Sequence, residues 1–235
     1  MTKDQIEHIR TERPSESAAA LAARRGLGDW IDTFATKQGF GWKKWRDWRL
    51  YFFTGGLVMT APTGVTAAYD WGTVRVLQYR RTVNGTASDA CSTLIDPAGN
   101  ALNIGLGRPP LFPSDKKALG ITSWENGASF LYPFIWGEHI QGRVTHAQLA
   151  GTIARIQQGE SVGFGPYTVD RDGVSDKRRS ATWPEVIEVG LHSGSLVFNG
   201  PQRRSKAPEH ADVFRIPNLD LFMKLCRHLS PHLND

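Results

Sequence analysis

Three basic stretches and a few histidines are the residues of this 235-residue chain whose types and spacing could do chemistry. The first stretch reads Trp42-Lys43-Lys44-Trp45-Arg46-Asp47-Trp48-Arg49, with Trp at every third position. On a helix that spacing aligns the rings in one stripe, and on a strand it scatters them over both faces. Trp interleaved with Lys and Arg suits an anionic membrane surface, where rings sit at the polar boundary and the cations meet phosphate. The competing expectation, which we place first, is that the rings pack beneath a sheet while the cations snorkel outward. The second and third stretches are Lys177-Arg178-Arg179 and Arg203-Arg204-Ser205-Lys206. If their loops converge, they make an anion site, because guanidinium forks match phosphate or carboxylate oxygens. The plainer expectation is two solvated loops.

Catalytic arrangements are scarcer. His139, beside Glu138, and His146 share a face if their segment is helical, but two imidazoles without a third ligand at a fitting spacing do not make a metal site. Asp170 and Asp172 belong to a turn, where Asp is favoured for its own hydrogen bonding. Gly26-Leu27-Gly28 and Gly105-Leu106-Gly107 both lack the third glycine of a dinucleotide fingerprint, and no phosphate-loop, H-E-x-x-H or G-x-S-x-G motif occurs. Cys91 and Cys226 belong to no C-x-x-C pair and read as buried, reduced thiols. We therefore expect no catalytic set, no metal and no cofactor.

The elements that must position these residues follow from composition and pattern. The chain carries 28 Lys+Arg against 23 Asp+Glu and is 40% hydrophobic, which fits a globular protein. Its +5 charge is spread as +3 over residues 1–50, +2 over 51–159 and 0 over 160–235, too small an excess to imply nucleic-acid binding. The apolar run Phe130 to Trp136 is broken by Pro133, far short of the ~20 residues of a membrane span. The amino terminus is charged from Lys3 and has no secretory apolar stretch, so we expect a cytoplasmic protein.

Residues 1–17 read as a mobile tail, and Ser17 as the N-cap of a short helix over Ala18 to Arg25. Arg49 to Phe53 and Leu57 to Thr60 read as a hairpin, and strands continue over 72–78, 91–95 and 101–104 around the Asn84-Gly85 and Asp96 to Gly99 turns. The prolines of 107–113 mark a loop, and 123–158 reads as helical, with Leu149, Ile153 and Ile156 forming an apolar stripe. A second strand series spans 162–215, and Pro217-Asn218 opens a closing helix with Leu219, Phe222, Leu225, Cys226 and Leu229 on its apolar face. The two halves share a thin repeat: Gly56-Leu57 and then Trp71-x-x-Val74, against Gly173-Val174 and then Trp183-x-x-Val186. Trp71 and Trp183 read as equivalent core anchors. Trp30, Trp124 and Trp136 fall in helical or packed connections.

On these residues, with Gly165-Pro166-Tyr167 and Ile216-Pro217-Asn218-Leu219-x-Leu221-Phe222-x-x-Leu225, the chain resembles small bacterial pleckstrin-homology-like modules, and more narrowly an uncharacterised group of actinobacterial proteins with tandem modules of this kind. The likeness is closer over 144–230 than over 26–143. It implies an α+β fold of two small antiparallel sheets or partial barrels, each closed by a C-terminal amphipathic helix. The expected boundaries are 1–25 for the tail and short helix, 26–158 for the first module with its helical connection, and 159–235 for the second. In lipid-binding relatives of that fold a basic loop between the first two strands docks phosphate head groups, and Lys177 to Arg179, in a hairpin of the second module, hold a position that suggests this use. The expected function is a non-enzymatic binding or scaffold protein with a protein or peptide partner. An anionic membrane is the second expectation and an enzyme using Glu138, His139 or His146 the third; oligomeric state is left open.

Overall fold

The computed structural model describes residues 11–36, 45–83, 86–200, 207–230 and 232–233. Helix α1 (Glu16–Arg24) is alanine-rich, carries Glu16 in its first turn and Arg24 in its last, and is followed by Gly26 at φ +65°. Its N-cap is Ser15, whose Oγ accepts the Ala18 amide at 3.3 Å, and not the expected Ser17. Ser15 stands one residue before the first helical position, where a hydroxyl can reach the free amides; Ser17 is already inside the first turn. Residues before the helix are tied to the sheet: the Thr33 hydroxyl donates to the Glu12 carbonyl at 2.6 Å, and Arg49 Nε pairs with the Glu12 carboxylate at 2.8 Å.

Four antiparallel strands follow in the order β1 (Trp30–Ala35), β2 (Arg49–Phe53), β3 (Gly56–Ala61) and β4 (Gly64–Asp70). A second sheet takes β5 (Arg75–Val83), β6 (Thr86–Ile95), β7 (Asn100–Leu106) and, after helix α2 (Pro113–Ala118), β8 (Ser123–Asn126), which lies parallel to β7. The expected helix over 123–158 therefore begins only at α3 (Pro133–Gln157). Trp124, instead of lying on a helix, joins an outer cluster with Leu77, Ile95 and Leu119, and the Arg108 and Lys116 cations lie over its ring at 5.2 and 4.8 Å. A third sheet has the order β12-β11-β10-β9, from β9 (Val162–Phe164), β10 (Tyr167–Val169), β11 (Gly173–Ser175) and β12 (Ser180–Thr182). A fourth joins β13 (Val189–His192), β14 (Ser195–Phe198) and β15 (Ala211–Asp212), before the final helix α4 (Leu219–Leu229). The fold is α+β with small, mainly antiparallel sheets, and the described strands do not join into a closed barrel.

Order of parts repeats: a four-stranded sheet, a second sheet, a helix, and again. The thin sequence repeat coincides with matching geometry. Trp71 and Trp183 each follow the fourth strand of their sheet and are buried, and their indole N–H groups donate to Phe53 O and Asp170 O, both at 3.1 Å. Their amides donate to Gly55 O at 2.9 Å and Asp172 O at 3.2 Å, the residues just before Gly56 and Gly173. A Cβ on Gly56 would strike the Tyr69 carbonyl, and one on Gly173 the Ala181 carbonyl, so both turns need a residue without a side chain. Val74 and Val186 are wholly buried. Both α3 and α4 start from a left-handed residue, Tyr132 at φ 59° and Asn218 at φ 53°.

The first core joins Phe34, Phe52 and Met59 of the first sheet to Leu94 and Ile104 of the second, with Trp71 and with Trp136, Ile140 and Val144 of α3. The outer face of the first sheet, Tyr51, Phe53 and Val58, is covered by Ala18, Ala22 and Leu27. In the second core Tyr167, Phe198 and Phe222 form a ring cluster with centroids 5.4–6.3 Å apart. The stripe read from sequence, Leu149, Ile153 and Ile156, packs in this second core. Leu149 lies five positions after Val144, about 140° around a helix axis, so the two halves of α3 face different cores. The expected boundary at residue 158 thus falls at the end of a helix that serves both.

Asn218 joins the two units. Its amide donates to Val76 O at 2.9 Å, its Oδ1 accepts the Val76 amide at 2.8 Å, and its Nδ2 reaches Val74 O at 3.3 Å and Gln148 Oε1 at 3.0 Å. It occupies the free edge of β5 as a one-residue strand partner. Tyr79 and Phe214 add an edge-to-face pair at 5.8 Å. No helix among the described residues is long and apolar enough to cross a membrane.

Candidate functional site

The loop carrying Lys177, Arg178 and Arg179 is built on Asp176. One Asp176 oxygen accepts the amides of Arg178 and Arg179 at 2.6 and 2.8 Å, and the other accepts the Glu209 amide at 2.5 Å. Desolvation works to raise this carboxyl, but those hydrogen bonds and the nearby Arg179 charge outweigh it and hold it below the usual carboxylate range. Arg178 and Arg179 both turn to the Glu209 carboxylate, at 3.6 and 3.8 Å. Beside them is a cavity of about 380 Å³ between α2 and the second unit, lined by Asp115, Tyr167, Lys177, Arg178, His210 and Arg215 among others. Arg215 lies 3.7 Å from Asp115 and 3.7 Å from Asp212, and its buried Nε makes no hydrogen bond. Three cations, Lys177, Arg178 and Arg215, line this cavity against four carboxylates, Asp115, Asp176, Glu209 and Asp212. Among the described residues, a phosphate entering it would meet no net positive charge. Arg203, Arg204 and Lys206 lie outside the described residues.

Of the aromatic and basic segment, Trp42, Lys43 and Lys44 also lie outside the described residues. Trp45 and Trp48 are partly buried against the first core, with rings edge to face at 5.0 Å. Their spacing of three serves a single tight turn, in which the Trp48 amide meets Trp45 O at 3.4 Å and Asp47 takes φ 63°. Arg46 is exposed and lies 3.7 Å from Asp47. The two described rings are thus packed and Arg46 points outward, while Arg49 is half-buried on Glu12. His139 and His146 are both exposed on α3, about 10 Å apart along its axis, with His139 edge-on to Phe52 at 6.2 Å. No group of three His, Cys, Asp or Glu among the described residues stands close enough to hold a metal ion. Cys91 and Cys226 are buried and unbridged, as expected, and burial pushes both thiols up to about 12.

A second and larger cleft, about 560 Å³, lies between the two sheets of the first unit. Among the described residues β4 ends the first sheet and β8 ends the second, and the cleft runs between these two edge strands. Asp70 stands at the end of β4, Asp96 in the β6–β7 turn and Glu125 on β8. Asp70 Oδ1 accepts the Gly72 amide at 2.6 Å. Burial tends to raise the Asp96 carboxyl, yet hydrogen bonds from the Asn100 side chain and amide, at 2.9 and 2.8 Å, and from the amides of Ala98 and Gly99 hold it low. Arg25, on the same wall, is turned to the Ala68 carbonyl of β4 at 2.9 Å. Tyr69 is only 7% exposed. Burial first, then the charges of Asp96 and Glu125, push its phenol above its ordinary range, so it stays protonated. Among the described residues its hydroxyl makes no hydrogen bond.

None of Tyr69, Asp70, Asp96 or Glu125 was singled out by sequence as a binding residue. They come from three separate elements, and Asp96 reads there as turn chemistry only.

No curated protein and no solved structure matches the chain. Residues 135–232, from the first turn of α3 through the second unit to the end of α4, match a family described as a family of unknown function (DUF6585).

Proposed function

We propose that this chain is a non-enzymatic, cytoplasmic binding protein of two pleckstrin-homology-like units that engages a protein or peptide partner. The observation that carries the reading is the cleft between β4 and β8, where two sheets of one unit each end, among the described residues, in a strand without a further neighbour. A terminal strand offers a row of backbone donors and acceptors to an extended segment, and the cleft between two such strands gives its side chains a place to enter. The repeated order of sheets and helix supports a fold that frames such edges. The mixed charge around the Asp115–Arg215 cavity gives less support to a phosphate head group at Lys177 to Arg179. Selection of a random peptide library on the full-length protein tests the proposal, with amide chemical shifts locating the enriched peptides. Saturable binding that moves the amides of β4 and β8 is the expected result. Absence of enriched sequences, or shifts confined elsewhere, overturns it.

A further inference from the structure

We propose that the β4–β8 cleft takes a cationic side chain, specifically the guanidinium of an arginine on an extended partner segment; this rests on the peptide-binding reading above and names the chemistry of that same site. The chain as a whole is basic, yet three carboxylates border this cleft, and among the described residues none of Asp70, Asp96 and Glu125 is in an ion pair. Arg25, the one cation among the lining residues, spends a guanidinium N–H on the Ala68 carbonyl, and Arg75, whose charge reaches Asp96, donates to the Leu119 carbonyl at 2.6 Å. Independently of the charges, Tyr69 lines the cleft with nine-tenths of its surface buried. Its hydroxyl keeps solvent contact and makes no hydrogen bond among the described residues, so it is open to a ligand.

The carboxylates are too dispersed to gather a single metal ion, because no ligand group of three forms here. Dispersed acceptors suit a planar cation instead. A guanidinium carries five N–H donors in a fixed fork and is less strongly hydrated than an ammonium, so it can face Asp96 and Glu125 together. Neutral Tyr69 adds an oxygen that accepts from the same group. Asp96 is held in place by its bonds with Asn100, so that wall is set before a ligand arrives.

The test uses N-acetyl-arginine N-methylamide as the probe, with its citrulline counterpart, which keeps the shape and lacks the charge. Each is titrated into the full-length protein to about 50 mM, a range that captures millimolar contacts, while amide shifts are followed. Expected is saturable binding of the arginine probe at β4, the β6–β7 turn and β8, at least about tenfold tighter than the citrulline probe and weakened by added salt. Glu125→Gln, at an exposed position, and Tyr69→Phe each weaken it by about threefold or more, with the fold checked by unchanged shifts elsewhere. No shift from the arginine probe, equal binding of both probes, or indifference to both substitutions overturns the inference. If library-selected peptides still occupy β4 and β8 in that event, the peptide-binding reading stands and only its cationic chemistry falls. If no peptide reaches those strands, the underlying reading fails as well.

Discussion

Replacing Asn218 by alanine tests how the two units are held together. The side chain is 4% exposed and satisfies the Val76 amide at 2.8 Å while donating to Val74 O and Gln148 Oε1. Alanine leaves the buried Val76 N–H without its acceptor, which costs roughly 1–3 kcal/mol. It also places a Cβ at φ 53° without the local hydrogen bonding that lets Asn tolerate the left-handed region, a further penalty of about 1 kcal/mol. The expected loss is about 3 kcal/mol, a large share of the roughly 5–15 kcal/mol that holds a typical domain folded. Asn218→Gly keeps the backbone at ease and loses the same side-chain bonds, so it should fall between the two, near 2 kcal/mol by the same reasoning. Urea unfolding at 25 °C, followed by tryptophan fluorescence and circular dichroism, measures both. If Asn218→Ala lies within about 0.5 kcal/mol of the parent, the contact at β5 contributes nothing net and the reasoning fails. If the glycine variant matches the parent while alanine does not, only the backbone angle matters.

Other expectations follow from the same geometry. Gly56→Ala and Gly173→Ala should each destabilise by about 2 kcal/mol in urea melts, since the new Cβ meets a backbone carbonyl that cannot move aside; neutrality at either position refutes the equivalence of the two turns. Gly142→Ala in α3, where nothing lies within 4 Å of the new methyl, should instead stabilise by about 0.5–1 kcal/mol. Burial pushes the thiols of Cys91 and Cys226 up to about 12, so an aromatic disulfide reagent at about pH 8 should modify neither until the protein unfolds, and rapid native labelling of either contradicts this burial.

What could be seen in the sequence was what short-range physics dictates. The β2–β3 hairpin, the Gly–Trp repeat and the amphipathic α4 each depend on residues within about twenty positions of one another, and all three are present. β4 and β8 were missed because Gly64-Val65-Thr66-Ala67-Ala68 and Ser123-Trp124-Glu125-Asn126 lack an alternating apolar pattern; neighbouring strands give them their place. Ser15 and Ser17 are equally good caps by type, and only the first helical residue decides between them. At the candidate sites the gap is one of sequence distance. Lys177 to Arg179 is an obvious cationic run, but Glu209, which faces two of its members, comes some thirty residues later. Tyr69, Asp96 and Glu125 meet only once two sheets have folded over one core.

Helix α3 is 25 residues long and gives its first half to one core and its second half to the other. A chain made from its amino terminus onward completes α3 before any strand of the second unit exists. During that interval Leu149, Ile153 and Ile156 stand on the helix with nothing to cover them, and they stay so until residues as late as Leu225 and Cys226 have emerged. The nascent protein therefore passes through a stage in which its first unit is finished and carries a sticky apolar stripe, the stage at which a ribosome-bound chaperone has most to protect.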